Sequence, residues 1–339
     1  MTVRVGINGF GRIGRNFVRA VLDQGVDIEV VAVNDLTSPE TLAHLLRYDS
    51  SQGRLGVEVS VHDGGLLVAG KQIAVTSERN PADIAWGELG VDVVVESTGL
   101  FTARDDAAQH IAGGAKKVII SAPATGADAT FVVGVNDDQY DAATHDVVSN
   151  ASCTTNCFVP MVKVLDDAFG VVSGLMTTVH AYTNDQNLLD LAHKDLRRAR
   201  AAAVNIVPSS TGAARATGLV LQSMQGRLDG TSLRVPIPTG SITDFSAVVS
   251  GRPTIDEVNA AYAAAASNGP LAKVLVYTED PIVSSDIVGD PASCTFDAGL
   301  TMVQAIDDAT SLVKVMGWYD NEWGYSNRLV DLVGIIGVA

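Results

Sequence analysis

Cys153 stands in the run Ser152-Cys153-Thr154-Thr155-Asn156, and His180 follows 27 residues later in Thr178-Val179-His180-Ala181-Tyr182-Thr183. A cysteine attacks as its thiolate, and an imidazole within reach is the base that activates it. The cysteine run opens a helix expected over residues 154–169. There the N–H groups of the first turn and the helix dipole favour negative charge on sulfur. His180 falls in a strand-like run, 171–181, which can return beside that helix start. The chemistry expected is covalent attack by sulfur on an electron-poor carbon, with the imidazole moving the proton.

Most cysteines and histidines do nothing of the kind. A buried cysteine usually acts as a small apolar filler, and Cys157 and Cys294 are read that way. His44, His62, His110, His145 and His193 are read as hydrogen-bonded core or surface residues. Cys153 is set apart by hydroxyls and an amide at a helix start, which suit oxygen binding better than core packing. His180 is set apart because its strand is the first after the cysteine helix.

A second pattern opens the chain. Gly9-Phe10-Gly11-Arg12-Ile13-Gly14 has the spacing of a dinucleotide fingerprint, in which glycines allow a tight turn, close approach of backbone to pyrophosphate, and helix–strand packing. The glycines alone are weak evidence. Here they lie between a strand over 2–7 and a helix over 11–22, and a second strand over 28–34 ends at Asp35, 21 residues after Gly14. A carboxylate there accepts from ribose hydroxyls and repels a 2′-phosphate, so NAD is expected rather than NADP, and neighbouring Leu36 adds no positive charge. Without the glycines, Asp35 would read as a turn residue in Asn34-Asp35-Leu36-Thr37.

The remaining elements position these two sites. Strands over 91–96, 117–121 and 147–150, with a helix over 104–112, continue a doubly wound parallel half. After Cys153 come a long helix and Val/Thr-rich strands over 171–181, 231–237, 242–249, 273–277 and 311–318, a pattern of mixed or antiparallel pairing. The fold class expected is α/β: a Rossmann-type doubly wound parallel sheet over 1–152, and an α+β catalytic domain with a mixed/antiparallel sheet over 153–320. A final amphipathic helix within 321–339 is expected to pack back on the first domain. Residues 182–204 carry Arg197, Arg198 and Arg200 without clear periodicity and read as a long ordered loop.

Composition narrows the partners. The 339 residues are 47% hydrophobic, enough for two cores. With 39 acidic against 23 basic side chains the net charge is -16, which disfavours nucleic acid as a partner. Three cysteines without paired ligand spacing suggest a reducing compartment and no metal. No apolar run approaches the roughly 20 residues that span a bilayer. The amino terminus enters a strand without a signal-peptide profile, so a cytoplasmic location and no membrane partner are expected.

Taken with Ser210-Thr211-Gly212-Ala213-Ala214, Leu233-Arg234-Val235-Pro236 and Trp318-Tyr319-Asp320-Asn321-Glu322-Trp323-Gly324-Tyr325, the cysteine and histidine runs resemble the phosphorylating glyceraldehyde-3-phosphate dehydrogenases over nearly the whole chain. The resemblance implies Cys153 as nucleophile and His180 as its activator. It implies one anion pocket from Ser152, Thr154, Thr211 and the backbone of Gly212, and another from Thr183, Arg198 and Arg234. From residue pattern alone the three loop arginines read as a solvated basic loop; the family selects Arg198. Arg12 and Ile13 would contact the pyrophosphate, Asp35 the adenosine ribose, Arg79 and Ser121 the adenine side or its linker, and Asn321 the nicotinamide carboxamide. The implied partners are glyceraldehyde 3-phosphate and inorganic phosphate, and the implied assembly is a homotetramer. Ala192 departs from the family, where many NAD-preferring members carry proline.

Two rival readings remain at this level. Erythrose-4-phosphate dehydrogenase shares the fold and the catalytic pair, and the substrate distinguishes it. A NAD-binding redox sensor would use the reactive thiol of Cys153, but it needs neither two anion pockets nor Asn321.

Overall fold

The computed structural model describes residues 2–337, and the chain divides into two compact units. The first holds the residues up to Phe131, Asn136–Ala151 and those from Ser326 on; the second holds Val132–Val135 and Ser152–Tyr325.

In the first unit the strands are β1 (Val3–Asn8), β2 (Ile28–Asn34), β3 (Tyr48–Asp49), β4 (Gly53–Arg54), β5 (Val59–His62), β6 (Gly65–Val68), β7 (Lys71–Thr76), β8 (Val93–Glu96), β9 (Lys117–Ile120), β10 (Ala129–Thr130) and β11 (Val147–Ser149). Its helices are α1 (Arg12–Gln24), α2 (Pro39–Arg47), α3 (Arg104–Ala107) and α4 (Gln109–Ala112). Among the described residues β3 and β4 form a separate hairpin, and the other strands make a nine-stranded sheet ordered β10-β11-β9-β8-β1-β2-β7-β6-β5. It is parallel from β10 to β7 and antiparallel from β7 to β5. The strand order reverses between β1 and β8, whose carboxyl ends carry Gly9 and Ser97-Thr98. Ligands of doubly wound sheets bind at such a switch point. Val3, Val5, Ile7, Val93, Val94 and Val95 are buried, as strands covered on both faces require. Helix α1 ends where Gly25 adopts φ 61°, a left-handed cap that glycine accepts without strain.

The second unit contains α5 (Cys153–Phe169), β12 (Val171–Ala181), β13 (Val207–Ser210), α6 (Ala213–Val220), β14 (Leu228–Val235), β15 (Ser241–Ser250), α7 (Ile255–Ser267), β16 (Leu275–Thr278), β17 (Cys294–Asp297), β18 (Met302–Ala305) and β19 (Thr310–Tyr319). The strands form a mixed sheet ordered β13-β14-β12-β15-β19-β17-β16, with β18 on β19. Two of its pairs, β12 with β14 and β16 with β17, are parallel. The last helix, α8 (Trp323–Gly337), starts in this unit and continues into residues of the first.

The helix expected over 104–112 is two single turns, α3 and α4, interrupted only at Ala108, whose backbone stays in the right-handed helical region. The strand expected from residue 273 starts at Leu275, after a 3-10 turn over Pro270–Lys273. The expected list of elements lacks α2 and the β5–β7 meander. Those strands are short, and glycine turns at Gly64 and Gly70 separate them. Among the described residues no helix is long and apolar enough to cross a membrane.

Candidate active site

Cys153 is the first residue of α5, and the cap before it is built from the flanking hydroxyls. Ser152 Oγ accepts from Thr155 N–H at 3.0 Å and lies 2.7 Å from Thr155 Oγ1. Ala151 precedes the cap at φ 55°, a left-handed turn that few side chains adopt. Cys153 Sγ lies 3.4 Å from His180 Nε2. The imidazole, 4% exposed, projects from the end of β12.

The parallel ladder of β12 and β14 sets Arg234 opposite His180. Arg234 Nη1 lies 2.6 Å from His180 Nδ1 and donates to Ala181 O at 3.0 Å. Nδ1 also lies 2.7 Å from Ala181 O. A guanidinium only donates, so a bond from Arg234 makes Nδ1 an acceptor and places the ring proton on Nε2, facing sulfur. If Nδ1 instead holds the proton and donates to Ala181 O, Nε2 is free to take the thiol proton.

Burial pushes the Cys153 thiol up to about 11, while the charge of Arg234, the N–H and hydroxyl of Thr154 and its own N–H pull it back. Burial, then the Arg234 cation, push the His180 imidazole down to about 3. Each group alone is therefore held neutral. Passing the thiol proton to Nε2 places opposite charges 3.4 Å apart, and their attraction opposes both shifts.

Three residues outside the expected set complete this wall. Tyr319 Oη lies 2.9 Å from Thr154 Oγ1 and 2.8 Å from Thr178 Oγ1, tying the cysteine helix to the histidine strand. Its ring stands edge-on to His180, centroids 5.9 Å apart. Thr178 shares a strand face with His180 by the two-residue period, a signal present in the sequence; Tyr319 reads there only as part of an aromatic core. Asp185 is the third: Arg198 Nη1 donates to it at 2.5 Å, and Arg198 Nη2 donates to Ser210 O at 3.4 Å.

These bonds tie Arg198 to Asp185, two residues after Thr183, and to Ser210, which precedes Thr211 in the other expected pocket. The Arg198 charge also acts on Arg234. Thr183 N–H donates to Gln186 Oε1 at 3.4 Å. Thr211 Oγ1 accepts from Ala213 N–H at 3.2 Å, and Gly212 caps α6 with no side chain of its own. Asn321 Oδ1 accepts from Gly240 N–H at 3.1 Å and from Ser241 Oγ at 2.9 Å, which leaves the amide nitrogen to donate. Ser241 Oγ in turn accepts from Ala181 N–H at 3.1 Å, beside His180.

The first unit carries a cavity of about 350 Å³ whose lining includes Gly9, Gly11, Asp35, Arg79 and Thr98. Its lining fits the dinucleotide reading. A Cβ on Gly9 would lie 2.7 Å from Thr98 N and one on Gly14 would strike the Gly9 carbonyl, whereas one on Gly11 would meet nothing within 4 Å. The backbone is packed tight behind the turn and open in front of it. Gly11 caps α1 without a side-chain bond, so Arg12 and Ile13 begin the helix where an anion is favoured. The Arg12 side chain itself pairs with Asp49. Asp35 accepts from Phe10 N–H at 2.8 Å and Thr37 N–H at 2.9 Å, which aims its carboxylate at the turn and leaves lone pairs for hydroxyls. Ser121 follows β9, its N–H on Glu96 O at 2.9 Å, and is not in the cavity lining.

Residues 3–104 match the family described as glyceraldehyde 3-phosphate dehydrogenase, NAD binding domain, and residues 152–321 match its C-terminal domain. The chain belongs to the glyceraldehyde-3-phosphate dehydrogenase family. Glyceraldehyde-3-phosphate dehydrogenase of Streptomyces coelicolor is 66% identical over 337 residues, 99% of each chain. Glyceraldehyde-3-phosphate dehydrogenase 2 of Streptomyces avermitilis is also 66% identical over 337 residues, again 99% of each. Glyceraldehyde-3-phosphate dehydrogenase of Mycobacterium tuberculosis is 62% identical over 343 residues, with the same coverage. This dehydrogenase is therefore an NAD-dependent oxidoreductase acting on an aldehyde group.

Proposed function

We propose that the chain oxidises and phosphorylates D-glyceraldehyde 3-phosphate to 1,3-bisphosphoglycerate, using NAD and inorganic phosphate, with Cys153 as nucleophile and His180 as its acid–base partner. The observation that carries this is the 3.4 Å approach of Cys153 Sγ to His180 Nε2 at the start of α5. Sulfur adds to the aldehyde carbon, its proton passing by way of Nε2 to the carbonyl oxygen, which becomes the hydroxyl of a hemithioacetal; Nε2 takes that proton back as the hydride leaves. NAD, when bound, supplies the acceptor for the hydride that leaves this carbon. The product is a thioester on Cys153, which an oxygen of inorganic phosphate attacks, releasing the thiolate and the acyl phosphate. The Cys153 N–H at the helix start is placed to donate to the oxyanion, a contribution of about 2.7–4 kcal/mol at comparable sites.

Arg234 and Arg198 supply forked, charge-assisted bonds for phosphate oxygens, and Ser152, Thr154, Thr183, Thr211 and the Gly212 N–H add donors. Substrate phosphate drawing Arg234 off Nδ1 would free that nitrogen to hold a proton against Ala181 O, leaving Nε2 to act as base. Asn321 would orient the nicotinamide carboxamide; Arg12, Ile13, Asp35, Arg79 and Ser121 would serve the rest of NAD. The names of the relatives favour the triose phosphate over erythrose 4-phosphate as substrate.

A homotetramer in the cytoplasm completes the reading. Leu188, Leu189, Leu191, Leu196, Val204 and Ile206 are exposed between β12 and β13, a concentration of apolar side chains that suits self-association. All three cysteines are free, which suits a reducing compartment.

The test is NADH formation from glyceraldehyde 3-phosphate with and without inorganic phosphate. Cys153→Ser is expected to abolish it while NAD still binds. Retained dehydrogenase activity in that variant would refute covalent catalysis.

A further inference from the structure

Beneath the glycine turn, the first unit buries polar side chains that the reaction does not use. Glu96 and Asn8 are each 2% exposed, and His110 and Trp86 are fully enclosed. Their donor and acceptor roles follow from one fixed point. The Trp86 indole can only donate, and its Nε1 lies 3.0 Å from His110 Nδ1. Nδ1 is thus an acceptor, the ring proton is on Nε2, and Nε2 donates to Glu96 Oε2 at 2.9 Å. Asn8 Nδ2 donates to the same oxygen at 2.6 Å. The other oxygen, Oε1, accepts from Thr98 N–H at 2.9 Å and Thr98 Oγ1 at 2.5 Å.

Both ends of this network reach the cavity. With its nitrogen on Glu96, Asn8 must turn Oδ1 to Asn34 Nδ2, 2.8 Å away. Asn34 then accepts at Oδ1 from Glu78 N–H at 2.8 Å and from Thr76 Oγ1 at 2.9 Å. Asn8, Asn34, Glu78 and Thr98 all line the 350 Å³ cavity, and Thr98 N presses on Gly9 where a Cβ would be. We infer that Glu96 is a positioning residue for NAD: by holding four donors, its carboxylate fixes the Ser97-Thr98 turn against Gly9 and orients the Asn8 and Asn34 amides that wall the cavity.

Glu96→Gln keeps the shape and replaces one acceptor by a donor. Facing Oε2's partners, the new NH2 meets Asn8 Nδ2 and His110 Nε2; facing Oε1's, it meets the Thr98 N–H. Turning Asn8 over would only pass the mismatch on, setting its nitrogen against that of Asn34. His110 cannot yield by changing tautomer while Trp86 donates to Nδ1.

The full-length variant is titrated with NAD and with ADP-ribose by calorimetry, and its kcat is measured at saturating NAD. Both dissociation constants are expected to rise together by roughly 10- to 100-fold, with kcat at saturation within about threefold of wild type. Thr98→Val, which removes one donor and keeps the N–H, is expected to weaken both ligands by roughly 3- to 10-fold. A folded Glu96→Gln protein with NAD affinity within about twofold of wild type overturns the proposal, as does a loss confined to kcat. If Glu96→Gln does not fold, Thr98→Val decides: unchanged affinity in that protein overturns the proposal equally.

Discussion

Replacing His180 by Asn isolates the attraction that makes Cys153 reactive. Asn is neutral and of similar polarity, so the variant removes the partner charge and little else. In wild type a proton on Nε2 leaves opposite charges 3.4 Å apart. At an effective dielectric constant of about 20 that attraction is worth about 5 kcal/mol, and at about 40 about 2.5 kcal/mol. Divided by 1.36 kcal/mol per unit, that attraction eases transfer of the thiol proton to Nε2 by about 2 to 3.5 units, and His180→Asn loses it. The unpaired thiolate of the variant is the better nucleophile, which returns about half of the loss, so alkylation at neutral pH should slow by roughly 10- to 100-fold. The assay is iodoacetamide labelling of the ligand-free protein across the pH range, with the modified residue located by mass. Cys157 and Cys294 are both fully buried, so the label reports Cys153. Superimposable pH profiles for the two proteins would refute the pairing, and turnover of the variant should fall roughly 100- to 10,000-fold.

Two further outcomes follow from the geometry. Arg234→Lys keeps the charge but loses the guanidinium, whose Nη1 alone contacts both His180 Nδ1 and Ala181 O and whose other nitrogens are left to fork onto phosphate, so KM for the phosphorylated aldehyde should rise roughly 10-fold with NAD affinity unchanged; an unaltered KM would remove Arg234 from the anion pocket. For Asp49, burial raises the carboxyl, but bonds from Arg12 and the N–H groups of Gln52 and Ser51 outweigh it and hold it below its usual 3.8. A depressed folded-state pKa stabilises above the unfolded value and is lost as pH falls through the folded one. Denaturant unfolding should therefore find Asp49→Asn less stable than wild type at neutral pH, with the gap closing below about pH 4, and a pH-independent gap would refute the ion pair.

Period and punctuation made much of this legible. The runs read as strands over 171–181 and 28–34 are β12 and β2 to the residue, because branched side chains fill them and a turn bounds each. The cysteine helix and the histidine strand were adjacent in the chain, so their meeting could be argued from a single helix–strand return. The bond from Arg234 to His180 could not. It depends on which of several similar strands lies beside β12, and in what register, across 54 residues. His110 illustrates a different limit. It reads in the sequence as a core or a surface histidine, and its partners Trp86 and Glu96 come from separate segments, so the buried network the three form emerges only in space.

The eight-residue parallel ladder from Gly174 to Ala181 against Leu228 to Val235 has an engineering consequence. Imidazole and guanidinium are held at facing rungs by backbone bonds, and β13 brackets the arginine from the other side, with Val207 opposite Arg234. Of the long excursion between the two strands, only the loop between Gln186 and β13 can be exchanged with another member's without disturbing the proton-handling pair, provided Arg198 keeps its anchor. A slip of one rung, by contrast, would turn the arginine to the opposite sheet face, so deletions inside β12, β13 or β14 should be far more damaging than changes confined to that loop.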